Sequence, residues 1–450
     1  VATSVIAQSR SAGARAALSD PQLEKLMAEA LANAPEIVSS RASLEAARRR
    51  ITPAATLPDP FVSTTYQNDG RSLSLGKAEG SFIGIMASQA LPWPGKLRLA
   101  GEIAASEAKE IERGTVGRTE LTLEARVRNA WYDLVLARAI DQIIEDRRAA
   151  ATQIEASARQ RYSAGLGVQQ DVLRAQVELV RIDELKASQA ATIASRAAEL
   201  NRLVGAPQDR DIETPSRLPE EAAAPAVADL IAASAARSPE LAASTQAIDT
   251  GRIRVDLAKK NFLPDFSVNA GSMYRGSFEM GPMWQVGVGV SLPIWIERRQ
   301  QNQLGEAQAV VRGRTADKDT VGLELELRTR ERVAQLDAAS RIAALYRDKV
   351  LPLDDLSLES ALASYQAGKV PFITVLDALN TLYSDRTIYA GRLAESAKWR
   401  VAIDEASLQP TAMSGAPSMG SSAMGGSAGG AGASTPTANT KNGSSMSSMR

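Results

Sequence analysis

Apolar and polar residues alternate one for one from Trp284 to Leu292. Val286, Val288, Val290 and Leu292 fall on one side, and Gln285, Gly287, Gly289 and Ser291 on the other. A period of two is that of a β-strand with one greasy and one wet face. Phe82 to Gln89 repeats the pattern with Ile83, Ile85 and Ala87, and Phe61 to Tyr66 shows it more faintly. Four strands are therefore predicted, over about residues 59–68, 80–91, 264–274 and 283–293, joined in pairs by Gly-, Ser- and charge-rich loops at 67–80 and 275–282.

Helical signals fill most of the remaining chain. Asp20-Pro21 starts a helix with Leu23, Leu26, Met27 and Ala30 on one face, and Ala34-Pro35 starts another that runs to about Arg50. No proline occurs between Pro94 and Pro207. The segment from Leu97 to Tyr162 thus reads as one helix of about 66 residues, roughly 100 Å long at about 1.5 Å per residue. Gly165 and Gly167 end it, and a return helix runs from Val168 to Val204. In the latter, Val168, Val172, Ala175, Leu179, Ile182, Ile193, Leu200 and Leu203 fit a 4-3 repeat, interrupted by Lys186, Gln189 and Arg196. That is the seam of an antiparallel coiled-coil hairpin.

The plan then repeats. Arg161-Tyr-Ser-Ala-Gly165, followed by Leu-Gly-Val-Gln-Gln-Asp171-Val-Leu, returns 203 positions later as Ser364-Tyr-Gln-Ala-Gly368, followed by Lys-Val-Pro-Phe-Ile-Thr374-Val-Leu-Asp377. Leu57-Pro58-Asp59 returns as Leu263-Pro264-Asp265, and Leu91-Pro92-Trp93 as Leu292-Pro293-Ile294-Trp295. A whole unit is duplicated, so the fold must carry internal pseudosymmetry. The chain divides into a flexible segment 1–20, a first repeat 21–205 with its hairpin at 97–204, and a Pro-rich linker 206–226. A second repeat follows over 227–408, with a helix to Asn261 and its hairpin at 298–408, and then a Gly/Ser/Met tail at 409–450 expected to be disordered. Pro352 lies inside the second long helix and predicts a kink there.

Composition narrows the function. Lys plus Arg and Asp plus Glu both number 52, so no basic field exists for nucleic acid to read. The absence of Cys and His removes disulfides, thiolate zinc sites and the Ser-His-Asp triad, and no phosphate-cradling glycine loop occurs. Neither an enzyme nor a cofactor is expected. No run of 18 apolar residues occurs, which excludes a spanning helix but not a barrel. The chain starts at Val1 without a charged and apolar leader, so a secretion signal is read as removed or never present, and without cysteine no lipid anchor is expected.

Four strands with a lipid-facing side would leave sheet edges unpaired in hydrocarbon, where each orphaned backbone group costs several kcal/mol. The chain must then associate with others to close a barrel. Trp93, Trp284 and Trp295, with Tyr66 and Tyr274, lie at or near strand ends, where an interfacial aromatic girdle sits. The competing reading is two soluble hairpins packed on the helices of a coiled-coil scaffold protein. Against it, the strands lie about 100 Å from the helix turns, beyond the reach of a covering element.

Over residues 20–408 the order and lengths of elements, and above all the duplicated Tyr-x-x-Gly turn with its following Asp/Thr-Val-Leu, resemble the TolC-type outer-membrane efflux ducts. The resemblance implies a mainly α fold with a transmembrane β-barrel. Three protomers would form a 12-stranded barrel continued by a periplasmic α-helical tunnel. It implies a location in the outer membrane of a Gram-negative bacterium, in contact with outer-membrane lipid. It also implies a periplasmic membrane-fusion adaptor as partner and, through it, an inner-membrane RND-type pump. Carried over by position, Asp171 and Asp377 match acidic residues of the tip aperture, and Tyr365 matches a tyrosine that holds a hairpin closed. Thr374 stands where relatives are often acidic, and Lys369 is an available ion-pair partner. Gly165-Leu166 and Gly368-Lys369 match the adaptor-docking turns. Plainer roles compete: Asp171 also favours the helix dipole, Gly165 and Gly368 are turn residues in any reading, and Tyr162 is expected to pack across its hairpin.

Leu91-Pro92-Trp93-Pro94-Gly95-Lys96 resembles the strand-to-helix junction of the heavy-metal branch, which exports copper and silver or cobalt, zinc and cadmium. Five of the ten methionines, Met413, Met419, Met424, Met446 and Met449, fall in the tail. Thioethers suit Cu(I) and Ag(I), so soft-metal capture there stands beside the more economical reading of a low-complexity tail. Three functions remain open at this point: a passive efflux duct for metal ions or small toxic compounds, a duct for type I protein secretion, and a soluble coiled-coil scaffold.

Overall fold

The computed structural model describes residues 20–68, 71, 81–215, 218–219, 226–275 and 281–408. The expected flexible segment up to residue 19, most of both hairpin loops, part of the linker and the tail with its five methionines lie outside the described residues. The chain splits into two compact units, and the description below concerns the first, Val1–Ala412.

Helix α1 (Pro21–Asn33) begins where the Asp20-Pro21 signal places it, with the Asp20 carboxylate accepting the Gln22 N–H at 2.9 Å. Its Leu23, Leu26 and Ala30 are buried in a core shared with Trp131, Leu134, Leu200 and Val204. Then come α2 (Pro35–Arg49), a short α3 (Ile51–Ala55), β1 (Phe61–Gln67), β2 (Phe82–Leu91), α4 (Lys96–Ile111), α5 (Gly117–Ser163) and α6 (Gln169–Val204). The second copy supplies α7 (Val227–Arg237), α8 (Pro239–Lys260), β3 (Asp265–Tyr274), β4 (Met283–Ser291), α9 (Gln301–Leu345), α10 (Leu351–Gln366) and α11 (Phe372–Glu405).

Three differences from the sequence reading have physical causes. The helix expected up to Asn261 is two helices, because Ser238 caps α8 by accepting the Leu241 N–H and Pro239 takes its first position. Each long helix is continuous but passes through π-turns, Glu112–Val116 in the first copy and Ile296–Gln300 and Tyr346–Val350 in the second. The last of these stands just ahead of Pro352, whose missing N–H and ring would conflict with the carbonyl one turn back. In α6 the repeat is occupied from Val172 onward, with Val172 and Leu179 half-buried against the core and Ala175, Ile182, Leu200 and Leu203 buried. Val168 is 59% exposed, because it precedes the helix in extended conformation.

The four strands form one antiparallel sheet in the order β1-β2-β3-β4. The two hairpins superpose in register: Val62 faces Ala87 in the first as Val268 faces Val288 in the second, which are the duplicated positions. The β2–β3 pairing, from Ile83 opposite Tyr274 to Leu91 opposite Phe266, joins the copies. Residues directly opposite share a face. One face therefore carries Val62, Tyr66, Ile83, Ile85, Ala87, Leu91, Phe266, Val268, Ala270, Tyr274, Trp284, Val286, Val288 and Val290, with Thr64, Gln89 and Ser272 as its polar exceptions. The other carries Ser63, Thr65, Ser88, Ser267, Asn269, Gly271, Gln285, Gly287 and Gly289, together with Phe61, Phe82, Met86, Met273 and Met283. Val286 and Val288 are 64% and 70% exposed on the apolar side, and β1 and β4 each pair along one edge only. Among the described residues no helix is long and apolar enough to cross a membrane.

Candidate functional site: the paired helical turns

The duplicated motif closes both hairpins with the same hydrogen bonds. In the first turn the Leu166 N–H reaches the Arg161 carbonyl at 2.9 Å and the Gly165 N–H reaches Tyr162 at 3.0 Å. In the second, Lys369 reaches Ser364 at 2.9 Å and Gly368 reaches Tyr365 at 2.9 Å. This crossed pair is the Schellman closure, and it requires a left-handed residue. Gly165 at φ 72° and Gly368 at φ 74° supply it.

Beneath the turns the hairpins meet through an apolar layer. Phe372, Val375, Leu376 and Leu379 of α11 pack with Ile154 and Ala158 of α5 and Ala175 and Ile182 of α6. Tyr365, at the end of α10, is buried at the top of this layer with its ring edge on Phe372 at 5.3 Å. Its hydroxyl donates to Asp171 Oδ2 at 3.1 Å, linking the second hairpin to the first. Burial raises the Tyr365 pKa, and the Asp171 carboxylate raises it further. The phenol is therefore neutral and a donor through the physiological range. Asp171 makes no capping bond to its own helix, so its carboxylate is directed at Tyr365.

The structure thus places together two of the residues carried over from the motif, Asp171 and Tyr365. Thr374 and Asp377 are exposed on α11, and Lys369 is exposed on the second turn with no ion pair among the described residues. Gly165, Leu166 and Gly368 are exposed at the tip, Leu166 at 69%. Tyr162 is 47% exposed instead of packing across its hairpin. The duplication leaves Thr374 where an acidic partner for Tyr162 would stand.

Arg161 was missed as a site residue. Its guanidinium lies over the Tyr365 ring at 4.9 Å, Nη2 donates to the Leu166 carbonyl at 2.8 Å, and Nη1 donates to the Gln366 carbonyl. One side chain thereby holds both turns and the tyrosine between them. The signal was in the repeat itself, where Arg161 of the first copy is matched by Ser364 of the second.

At the other end of the unit, Trp93 stacks on Phe266 at 5.8 Å, while Trp284 and Trp295 are 80% and 62% exposed. Trp284 is the second residue of β4 and Trp295 follows its end, so the two mark opposite ends of one strand. The 9 residues of β4, at about 3.3 Å each and tilted roughly 40°, rise about 23 Å, close to the height of an outer-membrane apolar band.

Comparison with known proteins gives a consistent picture. The family model for outer membrane efflux protein matches residues 26–206 and 230–406. The cobalt-zinc-cadmium resistance protein CzcC of Cupriavidus metallidurans is 23% identical over 363 residues, covering 80% of this chain and 84% of its own. The crystal structure of the outer membrane protein VceC from Vibrio cholerae superposes with a TM-score of 0.69 at 19% identity, covering 86% of this chain and 96% of that one. CusC superposes with a TM-score of 0.64 at 18% identity, covering 86% and 92%.

Proposed function

Because this chain belongs to the outer membrane efflux protein family, we propose that it is the outer-membrane exit duct of a tripartite efflux system, conducting its substrate passively. Three copies close their four-stranded sheets into a 12-stranded barrel, and their hairpins continue it as a tunnel. Closure follows from the sheet: an apolar face facing lipid cannot coexist with unpaired edges in hydrocarbon. The paired turns at the far end are the gate and the docking point for a periplasmic adaptor, through which an inner-membrane pump delivers substrate.

The observation that carries this reading is the one-sided sheet with open edges, joined to hairpins whose matched turns are tied by Tyr365 and Asp171. A duct does no chemistry. It replaces hydrocarbon by a water-filled path, and the pump supplies most of the selectivity. Metal ions are the proposed cargo, supported by the Leu91–Lys96 junction and by a relative named for cobalt, zinc and cadmium resistance.

Two measurements test the proposal. Imaging of the detergent-extracted protein should show a trimer roughly 140 Å long, from a helical part of about 100 Å plus a barrel of about 25 Å and loops. A strain lacking the chain should accumulate cobalt, zinc, cadmium or copper while its secreted proteins are unchanged. A monomer soluble without detergent would refute the duct, and a lost secreted protein with normal metal content would refute the cargo.

A further inference from the structure

The junction between the copies inside one protomer is a template for the seam between protomers. Where β2 leaves the sheet, Asp265 at the start of β3 clamps the departing chain. Its Oδ1 accepts the Trp93 N–H at 2.7 Å and Lys96 Nζ at 2.8 Å, and its Oδ2 accepts Lys96 Nζ at 2.9 Å. Lys96 also donates to the Leu263 carbonyl at 3.3 Å, and Trp93 stacks on Phe266. Both partners of this clamp lie on duplicated anchors, Leu91-Pro92-Trp93 on one side and Leu263-Pro264-Asp265 on the other.

The remaining copies of those anchors lie at the two open edges. Leu292-Pro293 follows β4, and Leu57-Pro58-Asp59 precedes β1. Trp295 is 62% exposed, Pro60 is exposed, and Asp59 and Arg298 are exposed with no side-chain partner among the described residues. Opposite charge and matched unsatisfied partners therefore sit on the two edges that a ring of copies brings together.

We propose that the seam of that ring, where β4 meets β1 of the next copy, takes the register that β2 and β3 already show and is closed by an Asp59–Arg298 ion pair. The inference rests on the trimeric duct described above and fixes its seam. Transferring the β2–β3 register through the anchors places Leu292 opposite Pro60, Val290 opposite Val62, Val288 opposite Thr64 and Val286 opposite Tyr66. All the strand residues in these pairs belong to the apolar face, so it runs unbroken across the seam. A slip of one residue would turn Val62 and Tyr66 to the opposite face from their partners. Asp59 takes the place of Asp265, Pro60 that of Phe266, Trp295 that of Trp93 and Arg298 that of Lys96. One additional residue, Ile294, separates Pro293 from Trp295, and the π-turn Ile296–Gln300 that follows can accommodate it.

These 450 residues contain no cysteine, so engineered pairs can be read without background. Val62→Cys with Val290→Cys is expected to oxidise to a covalent trimer, because opposed positions bring their Cβ atoms within about 5.5 Å. Thr64→Cys with Val290→Cys, displaced by two residues, should remain uncrosslinked. Asp59→Arg should lower the temperature at which the trimer dissociates, and Asp59→Arg with Arg298→Asp should restore it. A trimer that crosslinks at the displaced pair or at neither pair overturns the register and leaves the duct standing. Loss without recovery in the charge swap overturns the ion pair. A parent chain that is not a trimer in detergent overturns the duct itself.

Discussion

Tyr365 is gripped from three directions, by Asp171 at its hydroxyl, Arg161 over its ring and Phe372 at its edge. Tyr365→Phe removes only the hydroxyl bond to a charged acceptor, worth about 2 kcal/mol, and should raise the open fraction of single channels in planar bilayers. Arg161→Met keeps the stem but releases both turn carbonyls and should open the tip further. If Arg161 acts by positioning Tyr365, the double variant falls short of the sum of the two, and simple additivity would count against that role. Tyr365 was legible because the duplicated motif keeps a tyrosine there and at Tyr162, whereas Asp171, replaced by Thr374 in the second copy, was legible only through the family resemblance. Arg161 was visible only as a break in the repeat, since what it touches is backbone, which sequence does not mark. Glu405 was not legible at all. It is buried near Arg332, Glu240 and Arg126, and burial pushes its pKa up to about 7, with Arg332 opposing. Arg332 meanwhile donates to the Ala402 and Ser407 carbonyls at 2.6 and 2.8 Å. Since the folded value lies above the unfolded one of 4.5, the folded state binds the proton more tightly. The associated stability is complete below about pH 4.5 and is lost as pH rises through 7. Glu405→Gln should flatten that slope, on the order of 3 kcal/mol between pH 4.5 and 8, as read by thermal unfolding across that range.

The long helices were legible in extent and not in internal geometry. Helix starts carried local signatures, such as Asp20-Pro21 and, overlooked in the sequence, Ser238-Pro239. A π-turn has no such signature, because it answers to neighbours. Within Glu112–Val116, a Cβ on Gly114 would sit 2.8 Å from that of Ala243, so α8 approaches too closely for a side chain there. Pro352 flagged trouble in the second copy, but the chain widens the turn ahead of it instead of leaving an unrelieved clash. That makes a quantitative prediction. Proline inside a regular helix costs about 3 kcal/mol relative to alanine, so Pro352→Ala should stabilise by that amount if Tyr346–Val350 were an ordinary turn. With the π-turn already present, the gain in denaturant midpoint should correspond to about 1 kcal/mol or less.

On the scale of the molecule, the sequence implied closure by other copies, and the protomer shows what that closure has to cover. Its hairpin helices lie side by side, α6 on α5, α5 on α11 and α11 on α10, which leaves α6 and α10 each with one free flank. Along α6 that flank carries Leu173, Val177 and Val180, exposed at 52%, 51% and 68% and spaced as one helical stripe. Along α10 it carries Leu353 and Leu356, exposed at 65% and 61%. Isolated apolar residues on a surface need no explanation, whereas stripes on the two flanks of one sector are what a ring of identical sectors would bury. Val180→Glu is therefore harmless to the protomer, where the side chain already faces out, and costly to the ring, where a carboxylate would be buried against the next copy's α10 without a partner. Helicity measured by circular dichroism should stay unchanged while the heat-resistant trimer disappears from native gels. If the trimer survives with its melting temperature intact, α6 does not face a neighbouring protomer, and the sectors must meet along some other pair of helices.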